Sequence, residues 1–295
     1  MRVRKSICGC RWFFNLSGCS PSKLFSSFTQ PTIVDIGWKV NKEKRYKKRS
    51  EQITEEKMYR YILFDLDGTL TDPKVGITSC VQYSLHKMGI EEPDLDKLEP
   101  FIGPPLLDSY REYYGLNEEE ARQAIEFYRE RFSVKGLFEN KVYPGIPELL
   151  QKLQENGRKL AIASSKPTVY VKQILAHFDI EKYFAVIVGS ELDGRRTRKE
   201  EVVEEALRQL LPEKLFRERK QYAAQRTAEP ETEKPCCEQS AAMVGDRRFD
   251  VKGAKEYGIA SVAVSYGYAQ PGELEEAGAE FIASSVDRLG EVLLA

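Results

Sequence analysis

The chain has 295 residues, of which 41% are hydrophobic and 31% are charged, and its formal net charge is -1. This length and apolar content are sufficient for a large globular domain with a buried core, and the near-zero charge argues against a protein organised around nucleic-acid backbones. No run approaches the roughly 18 consecutive apolar residues of a membrane span, and six cysteines without a C-x-x-C pair indicate reduced thiols. We therefore expect a cytoplasmic protein with no nucleic-acid partner and no membrane partner.

Residues 1–57 differ in composition from the rest of the chain. They hold thirteen Lys/Arg and five Asp/Glu, a balance of +8, which leaves -9 for residues 58–295. They show no sustained helical or strand pattern, so we predict a non-catalytic N-terminal extension that is disordered or not native. Three interpretations stay open: an organelle transit peptide, a nucleic-acid contact at KEKRYKKR, or translation that starts at Met58. We favour the last, because codons for residues 55–57 can form a purine-rich segment like a ribosome-binding site.

From Tyr61 onward, short apolar segments alternate with amphipathic helical patterns. This alternation is the signature of a parallel sheet with crossover helices. The predicted fold class is therefore α/β, a Rossmann-like parallel sheet with helices on both faces. The predicted strands are YILFDL (61–66), KLAIAS (159–164), FAVIVG (184–189), AAMVGD (241–246), ASVAVS (260–265) and EFIA (280–283).

Residues 77–140 interrupt this alternation with helical patterns alone. Apolar residues recur at helix spacing in two runs, and the second run follows Asn117, a residue type suited to an N-cap. We therefore predict a helical subdomain inserted after the first strand. The core domain would then consist of residues 58–76 and 141–295.

A second interruption covers residues 211–240. This segment is charged, contains prolines and is weakly periodic. Segments of this composition bury too little apolar surface to order themselves. We predict a partly disordered surface insertion within the core domain.

Two carboxylates follow one another at the end of the first predicted strand. Asp65 and Asp67 are two residues apart, so their side chains point to the same side of the strand. Such a pair is unfavourable unless a cation bridges it or one carboxyl holds a proton. An EF-hand loop is excluded, because it requires Gly and Glu where this chain has Leu70 and Gly76. A turn at Asp67-Gly68 explains the second aspartate but leaves the first unexplained.

Other predicted strands also end in polar groups. Ser164 ends the second strand and is followed by Ser165, while AAMVGD ends at Asp246, with Asp250 four residues on. Ligands bind at the carboxyl ends of strands in open α/β sheets, so we expect these groups and the first pair to converge on a metal and an anion. Lys199 opens an amphipathic helix, whose N-terminus favours anions. Considered alone, Lys199 is best interpreted as a surface lysine. A role in anion binding is supported only when Lys199 is considered together with the other candidate residues.

The sequence resembles the haloacid dehalogenase superfamily from about residue 58 to the C-terminus. Its D-x-D-G-T motif starts at Asp65, its second motif ends at Ser164, its third is best matched by Lys199, and its fourth is GDRRFD. The helical insertion resembles a C1-type cap domain. The segments DLDGTLTDP, FIGPPL, VYPGI and SSKP are similar to the phosphoglycolate phosphatase-like branch, which also contains 5'-nucleotidases and pyrophosphatases.

This resemblance implies a Mg²⁺-dependent phosphatase that hydrolyses a small soluble phosphomonoester, phosphoglycolate-like or a nucleoside monophosphate, through an aspartyl-phosphate. It implies that Asp65 is the nucleophile and Asp67 the general acid and base. The implied phosphate-binding residues are Gly68, Thr69, Ser164, Ser165 and Lys199. The implied metal ligands are Asp65, Asp67 through its backbone carbonyl, and Asp246. Asp250 is either a further ligand through water or a residue that orients the other ligands.

Several alternatives stay open within the same superfamily. A sugar-phosphate mutase keeps both aspartates and the same cap type, and a pyrophosphatase belongs to the same branch. A catalytically retired protein that binds phosphate is a further alternative. Haloacid dehalogenation is disfavoured because it does not use the acid/base carboxylate that Asp67 provides. The sequence gives no indication of the oligomeric state.

Overall fold

The computed structural model describes residues 59–228 and 241–295. The extension predicted over residues 1–57 and the start predicted at Met58 lie outside the described residues, as does the last part of the segment predicted over 211–240. Within the two described ranges, no helix has both the length and the apolar character needed to cross a membrane.

The strands lie where the apolar segments predicted them, with one further short pair. They are β1 (Tyr61–Phe64), β2 (Thr71–Asp72), β3 (Lys141–Val142), β4 (Lys159–Pro167), β5 (Phe184–Ser190), β6 (Ala241–Gly245), β7 (Ala260–Val264) and β8 (Phe281–Ala283). Six of them form one parallel sheet in the order β5-β4-β1-β6-β7-β8. The predicted α/β class with a parallel sheet is therefore confirmed.

Helices connect the strands. They are α1 (Lys74–Lys87), α2 (Leu106–Tyr114), α3 (Glu118–Arg131), α4 (Ile146–Glu155), α5 (Thr168–His177), α6 (Lys199–Leu210), α7 (Glu213–Ala228), α8 (Arg248–Glu256), α9 (Glu273–Glu276) and α10 (Val286–Leu294). Short 3₁₀ segments cover Leu95–Phe101 and Glu181–Tyr183, and a π-helical segment covers Phe132–Gly136.

The sheet is buried on both faces, as β1 shows. Ile62 and Phe64 belong to one hydrophobic cluster, together with residues of α4, α5 and α10. Tyr61 and Leu63 belong to another, together with residues of α6 and α8. This division follows from the alternation of side chains along a strand, and each fully buried side chain of this size stabilises the fold by about 1.5–3 kcal/mol. The predicted helices on both faces are confirmed.

Residues 74–140, the helical insertion, contain α1, α2 and α3. The antiparallel pair of β2 and β3 joins the chain that enters the insertion to the chain that leaves it. Asn117 caps α3 as predicted: its side chain accepts from the N–H of Glu120 at 3.0 Å, and its own N–H donates to the Glu120 carboxylate at 2.8 Å. Helix α1 starts at Lys74, three residues before the predicted boundary at 77, because its first turn precedes the first apolar residue of the helical pattern, Ile77.

The segment predicted as a partly disordered surface insertion over 211–240 contains a helix that was not predicted, α7, in its described part. Residues 219, 222 and 223 of this helix are buried, which is helical spacing. One of these inward positions is Arg219, which is 1% exposed and donates to the carbonyl of Gly258. Because a charged residue occupies a buried position, the apolar residues of α7 do not recur at helical spacing in the sequence. The charged composition of the segment therefore indicated disorder.

Candidate active site

The carboxyl ends of β1, β4 and β5 adjoin a cavity of about 610 Å³. Asp65, Asp67 and Ser164 line it from the sheet, and Tyr128 and Arg129 line it from α3 of the helical insertion. The cavity therefore lies where an open α/β sheet places its ligands. It brings the aspartate pair predicted from the sequence into contact with the inserted helices.

Three of the predicted carboxylates form a buried cluster. Asp65, Asp246 and Asp250 each offer an oxygen atom, and these atoms lie within 4.8 Å of one another. Asp246 accepts the N–H of Tyr268 at 2.7 Å through Oδ2, while its Oδ1 is buried with no hydrogen-bond partner. Burial raises the pKa of Asp246 well above its usual range, and the charges of Asp250 and Asp65 raise it further. An oxygen-only donor set of this kind, with an unsatisfied oxygen, fits a divalent cation.

Lys199 is part of this cluster and not a surface lysine. Its ammonium lies 3.0 Å from Oδ1 of Asp65 and 2.8 Å from Oδ1 of Asp250, and it donates to the carbonyl of Ala163 at 3.0 Å. Burial alone would lower its pKa, but the attraction of the two carboxylates raises the pKa above its ordinary value. The start of α6 thus holds a charged ammonium against two of the three clustered carboxylates.

Asp67 pairs with a lysine to which the sequence had given no role. Lys166 Nζ lies 2.9 Å from Oδ2 of Asp67 and 4.6 Å from the centre of the Phe132 ring, which belongs to the helical insertion. Burial raises the pKa of Asp67, Lys166 opposes that rise, and the charge of Asp65 adds to it. The available signal was spacing, since Lys166 is two residues after Ser164 and so leaves the strand end on the same side.

The turn after the first aspartate requires glycine. Gly68 has φ +76°, and a Cβ there would lie 2.0 Å from Oδ2 of Asp246. The N–H of Gly68 donates to Thr71 at 2.8 Å and that of Thr69 to Leu66 at 3.3 Å, so both amides bond inside the turn. Their predicted contact with phosphate stays a prediction, and Thr69 offers instead a buried hydroxyl with no hydrogen-bond partner.

The second predicted motif lies at the end of β4. Ser164 is buried, and its Oγ accepts the N–H of Lys166 at 3.4 Å. Ser165 is half-buried, lines the cavity, and accepts the hydroxyl of Ser190 at 2.8 Å through its carbonyl. The structure thus brings every predicted site residue to one end of the sheet.

Comparison with known proteins gives matches over this same region. The family model for haloacid dehalogenase-like hydrolases matches residues 62–264. The chain is 45% identical to the 5'-nucleotidase of Pseudomonas aeruginosa over an alignment of 216 residues. This alignment covers 73% of this chain and 87% of that protein. The chain is 36% identical to the tyrosine-protein kinase PtkA of Mycobacterium tuberculosis over an alignment of 236 residues. This alignment covers 79% of this chain and 72% of that protein.

A solved structure matches as well. The crystal structure of a predicted phosphatase from Clostridium acetobutylicum aligns with 80% of this chain and 99% of that chain, at 45% identity and a TM-score of 0.69. The residues matched by the family model include all the site residues described above.

Proposed function

Since this chain belongs to the haloacid dehalogenase-like hydrolases, we propose that it is a Mg²⁺-dependent phosphatase that acts through an aspartyl-phosphate intermediate. The observation that carries the proposal is the position of Asp65. It lines the cavity, its carboxylate pairs with Lys199, and it forms the acidic cluster together with Asp246 and Asp250. A phosphoryl group bound in the cavity would therefore meet a carboxylate nucleophile beside a cation site.

The proposed metal ligands are Asp65, Asp246, Asp250 and the backbone carbonyl of Asp67. Mg²⁺ prefers oxygen ligands, and every group of this set offers an oxygen atom. When bound, the ion would neutralise charge that develops on the phosphoryl oxygens.

The side chains of the site divide the remaining work. Asp65 attacks phosphorus, a P–O bond to the carboxylate forms, and the P–O bond to the leaving group breaks. Asp67 gives its proton to the leaving oxygen and later takes one from the water that hydrolyses the aspartyl-phosphate. Lys199 orients Asp65, and Ser164 and Lys199 bind phosphoryl oxygens. Ser165 and the Thr69 hydroxyl complete the proposed phosphate site, and Gly68 forms the turn beside it.

The helical insertion is proposed to act as a cap. Phe132 packs on Lys166, and Tyr128 and Arg129 line the cavity opposite the aspartates. A cap in this position excludes bulk water during phosphoryl transfer and restricts access to small soluble substrates. The pair of β2 and β3, at its two ends, would be the hinge.

The cavity favours a nucleoside monophosphate over a phosphoglycolate-like substrate. Its volume of about 610 Å³ is in the range of sites for ligands the size of a drug molecule, well above the needs of glycolate. Its insertion side offers apolar surface from Phe101, Ile125 and Tyr128, with two arginines, Arg122 and Arg129. The relative named 5'-nucleotidase supports the same choice.

The test is Mg²⁺-dependent release of phosphate from a panel of nucleoside monophosphates, phosphoglycolate, pyrophosphate and a hexose 1-phosphate, each with and without EDTA. We expect turnover of nucleoside monophosphates that EDTA abolishes. An isomerised hexose phosphate without phosphate release would indicate a mutase, and release from pyrophosphate alone a pyrophosphatase. Binding of phosphate esters without any turnover would indicate a retired enzyme.

Protein kinase activity is a second candidate, because one relative bears the name tyrosine-protein kinase. A kinase would transfer the γ-phosphoryl group of ATP to a tyrosine hydroxyl and release ADP, whereas the phosphatase would transfer the phosphoryl group of a monoester to water and release the alcohol. Incubation with ATP and a tyrosine peptide separates them. Phosphopeptide without free phosphate would favour the kinase.

A further inference from the structure

Arg247 joins the fourth motif to the helical insertion. It directly follows Asp246 in the sequence and is only 6% exposed. Its Nη1 donates to the carbonyl of Ile102, which lies 145 residues away in the helical insertion. No prediction from the sequence assigned this arginine a role, although the contact links the insertion directly to the acidic cluster.

The arginine is held in place from the core side. Its Nε donates to Oε1 of Glu273 at 3.0 Å, and both side chains are buried. The Glu273 carboxylate also accepts the N–H of Arg248 at 2.8 Å and that of Gln270 at 3.0 Å. A carboxylate with three donors is fixed in position. Arg247 donates through Nε to Glu273 and through Nη1 to Ile102, and a lysine cannot reproduce this planar fork of donors.

The loop that receives this contact is built around a glycine. Gly103 has φ +105°, and a Cβ there would lie 3.1 Å from both Cγ and Nη1 of Arg247. Within residues 102–105, the 102–105 loop, Ile102 and Gly103 therefore lie directly against the Arg247 side chain. Any side chain at position 103 would have to move the loop or the arginine.

The 102–105 loop lies between two cavities. Gly103, Pro104 and Pro105 line the cavity that contains the aspartate pair, and the same three residues line a second cavity of about 600 Å³. Arg247 lines the second cavity only. The loop is thus part of a wall that the two cavities share, and the other residues that line both are Asp108, Ser165, Thr197 and Arg198.

We propose that Arg247 is a positioning residue that holds the 102–105 loop between the two cavities and so limits the size of the leaving group. The kinetic part of this inference rests on the proposed phosphatase function. If the contact is lost, the loop shifts, the cavities merge, and bulkier phosphate esters gain access while small ones lose contacts.

The experiment compares Arg247→Lys and Gly103→Ala with two matched controls. Arg247→Lys keeps the charge beside Glu273 but loses the forked donor, and Gly103→Ala disturbs the same contact from the loop side. Arg208→Lys makes the same exchange on an exposed face of α6, and Gly115→Ala adds a Cβ at another positive-φ glycine that has open space around it.

The kinetic measurement is kcat/KM for p-nitrophenyl phosphate and for a 5'-phosphorylated dinucleotide. We expect the ratio of the bulky to the small substrate to rise by about tenfold in both test variants, the order of discrimination that pocket shape supplies, and to stay unchanged in both controls. An unchanged ratio in test variants that still turn over overturns the proposal.

Hydrogen exchange gives a measurement that needs no turnover. We expect the peptide spanning residues 101–107 to exchange faster in both test variants and at the wild-type rate in both controls. If the wild type releases no phosphate from any ester, the proposed function is wrong. Hydrogen exchange then still tests whether Arg247 holds the 102–105 loop in place. Unchanged exchange in Arg247→Lys and Gly103→Ala overturns the inference even when the wild type is an active phosphatase.

Discussion

Lys166 Nζ lies 2.9 Å from Oδ2 of Asp67, and the two side chains are 6% and 9% exposed. The pair places two opposing influences on one carboxyl group. Burial favours the protonated acid, whereas the ammonium favours the carboxylate. A group that must first give and then take a proton needs a pKa between these extremes, so Lys166 is expected to tune Asp67.

Replacement of Lys166 by Met is the first prediction. Without the ammonium, burial and the charge of Asp65 raise the pKa of Asp67 further, so Asp67 keeps its proton to higher pH and deprotonates water poorly near neutrality. We expect phosphate release at neutral pH to fall about 10- to 100-fold and the pH optimum to move upward. Lys166→Arg keeps the charge and should show the smaller shift. A Met variant with the wild-type optimum would contradict this role.

The second prediction is that Asp65→Asn and Asp67→Asn block different steps of the reaction. Asp65→Asn removes the nucleophile, so p-nitrophenyl phosphate should give neither nitrophenol nor phosphate. Asp67→Asn keeps the nucleophile but loses the base, and nitrophenolate leaves without a proton. We expect a burst of about one nitrophenol per enzyme, followed by turnover about 10²- to 10⁴-fold slower.

Mass spectrometry of the quenched Asp67→Asn protein checks this prediction directly. It should show one added phosphoryl group, and the peptide that carries the group should contain Asp65. Asp96→Asn, which changes an exposed aspartate on the insertion surface, is the matched control and should behave as wild type. Full turnover in Asp65→Asn would overturn the aspartyl-phosphate mechanism.

Much of the site could be predicted from the sequence, because strand periodicity and parallel order suffice to bring carboxyl ends together. Asp65, Ser164 and Asp246 each follow an apolar run that forms a strand of the central sheet. Contacts that depend on tertiary packing could not be predicted. Lys166 is oriented by Phe132 of the insertion, and Arg247 by an acceptor 145 residues away.

The same limit applies to secondary structure. The two-residue strands β2 and β3 have no periodicity to detect and exist because each pairs with the other. Helix α7 was hidden because Arg219 occupies an inward position, where a sequence pattern requires an apolar residue. Local signals predict elements well where burial is apolar, and they fail where a polar group is buried with its own partner.

Loss of the α3 cap is the third prediction. Asn117→Ala removes the acceptor for the N–H of Glu120, leaving a helix-terminal donor without a protein partner. We expect the free energy of unfolding to fall by about 1 kcal/mol, measured by urea denaturation monitored by circular dichroism. Asn117→Ser restores a capping oxygen and should recover most of the loss. Equal stability of the Ala and Ser variants would contradict the capping role.

Stabilisation by Mg²⁺ should depend on pH, which is the fourth prediction. Burial raises the pKa of Asp250 to about 6, although Lys199 opposes the rise, and it raises the pKa of Asp246 as well. In the metal-free protein the folded state therefore binds protons more tightly than the unfolded state, whose aspartates titrate near 4. The stability from the Asp250 proton is present below about pH 4 and is lost as pH rises through about 6, and that from the Asp246 proton is lost as pH rises through the raised pKa of Asp246.

Metal binding has the opposite pH dependence, because the ligands must lose their protons. We expect MgCl₂ to raise the melting temperature more at about pH 7.5 than at about pH 5.5, with a gain of about 2.7 kcal/mol at a concentration 100 times Kd. Asp246→Asn removes a ligand and should abolish the gain, while Asp96→Asn should leave it intact. The measurement needs no turnover. An equal rise in melting temperature at both pH values, or a rise that persists in Asp246→Asn, would show that the ion binds elsewhere.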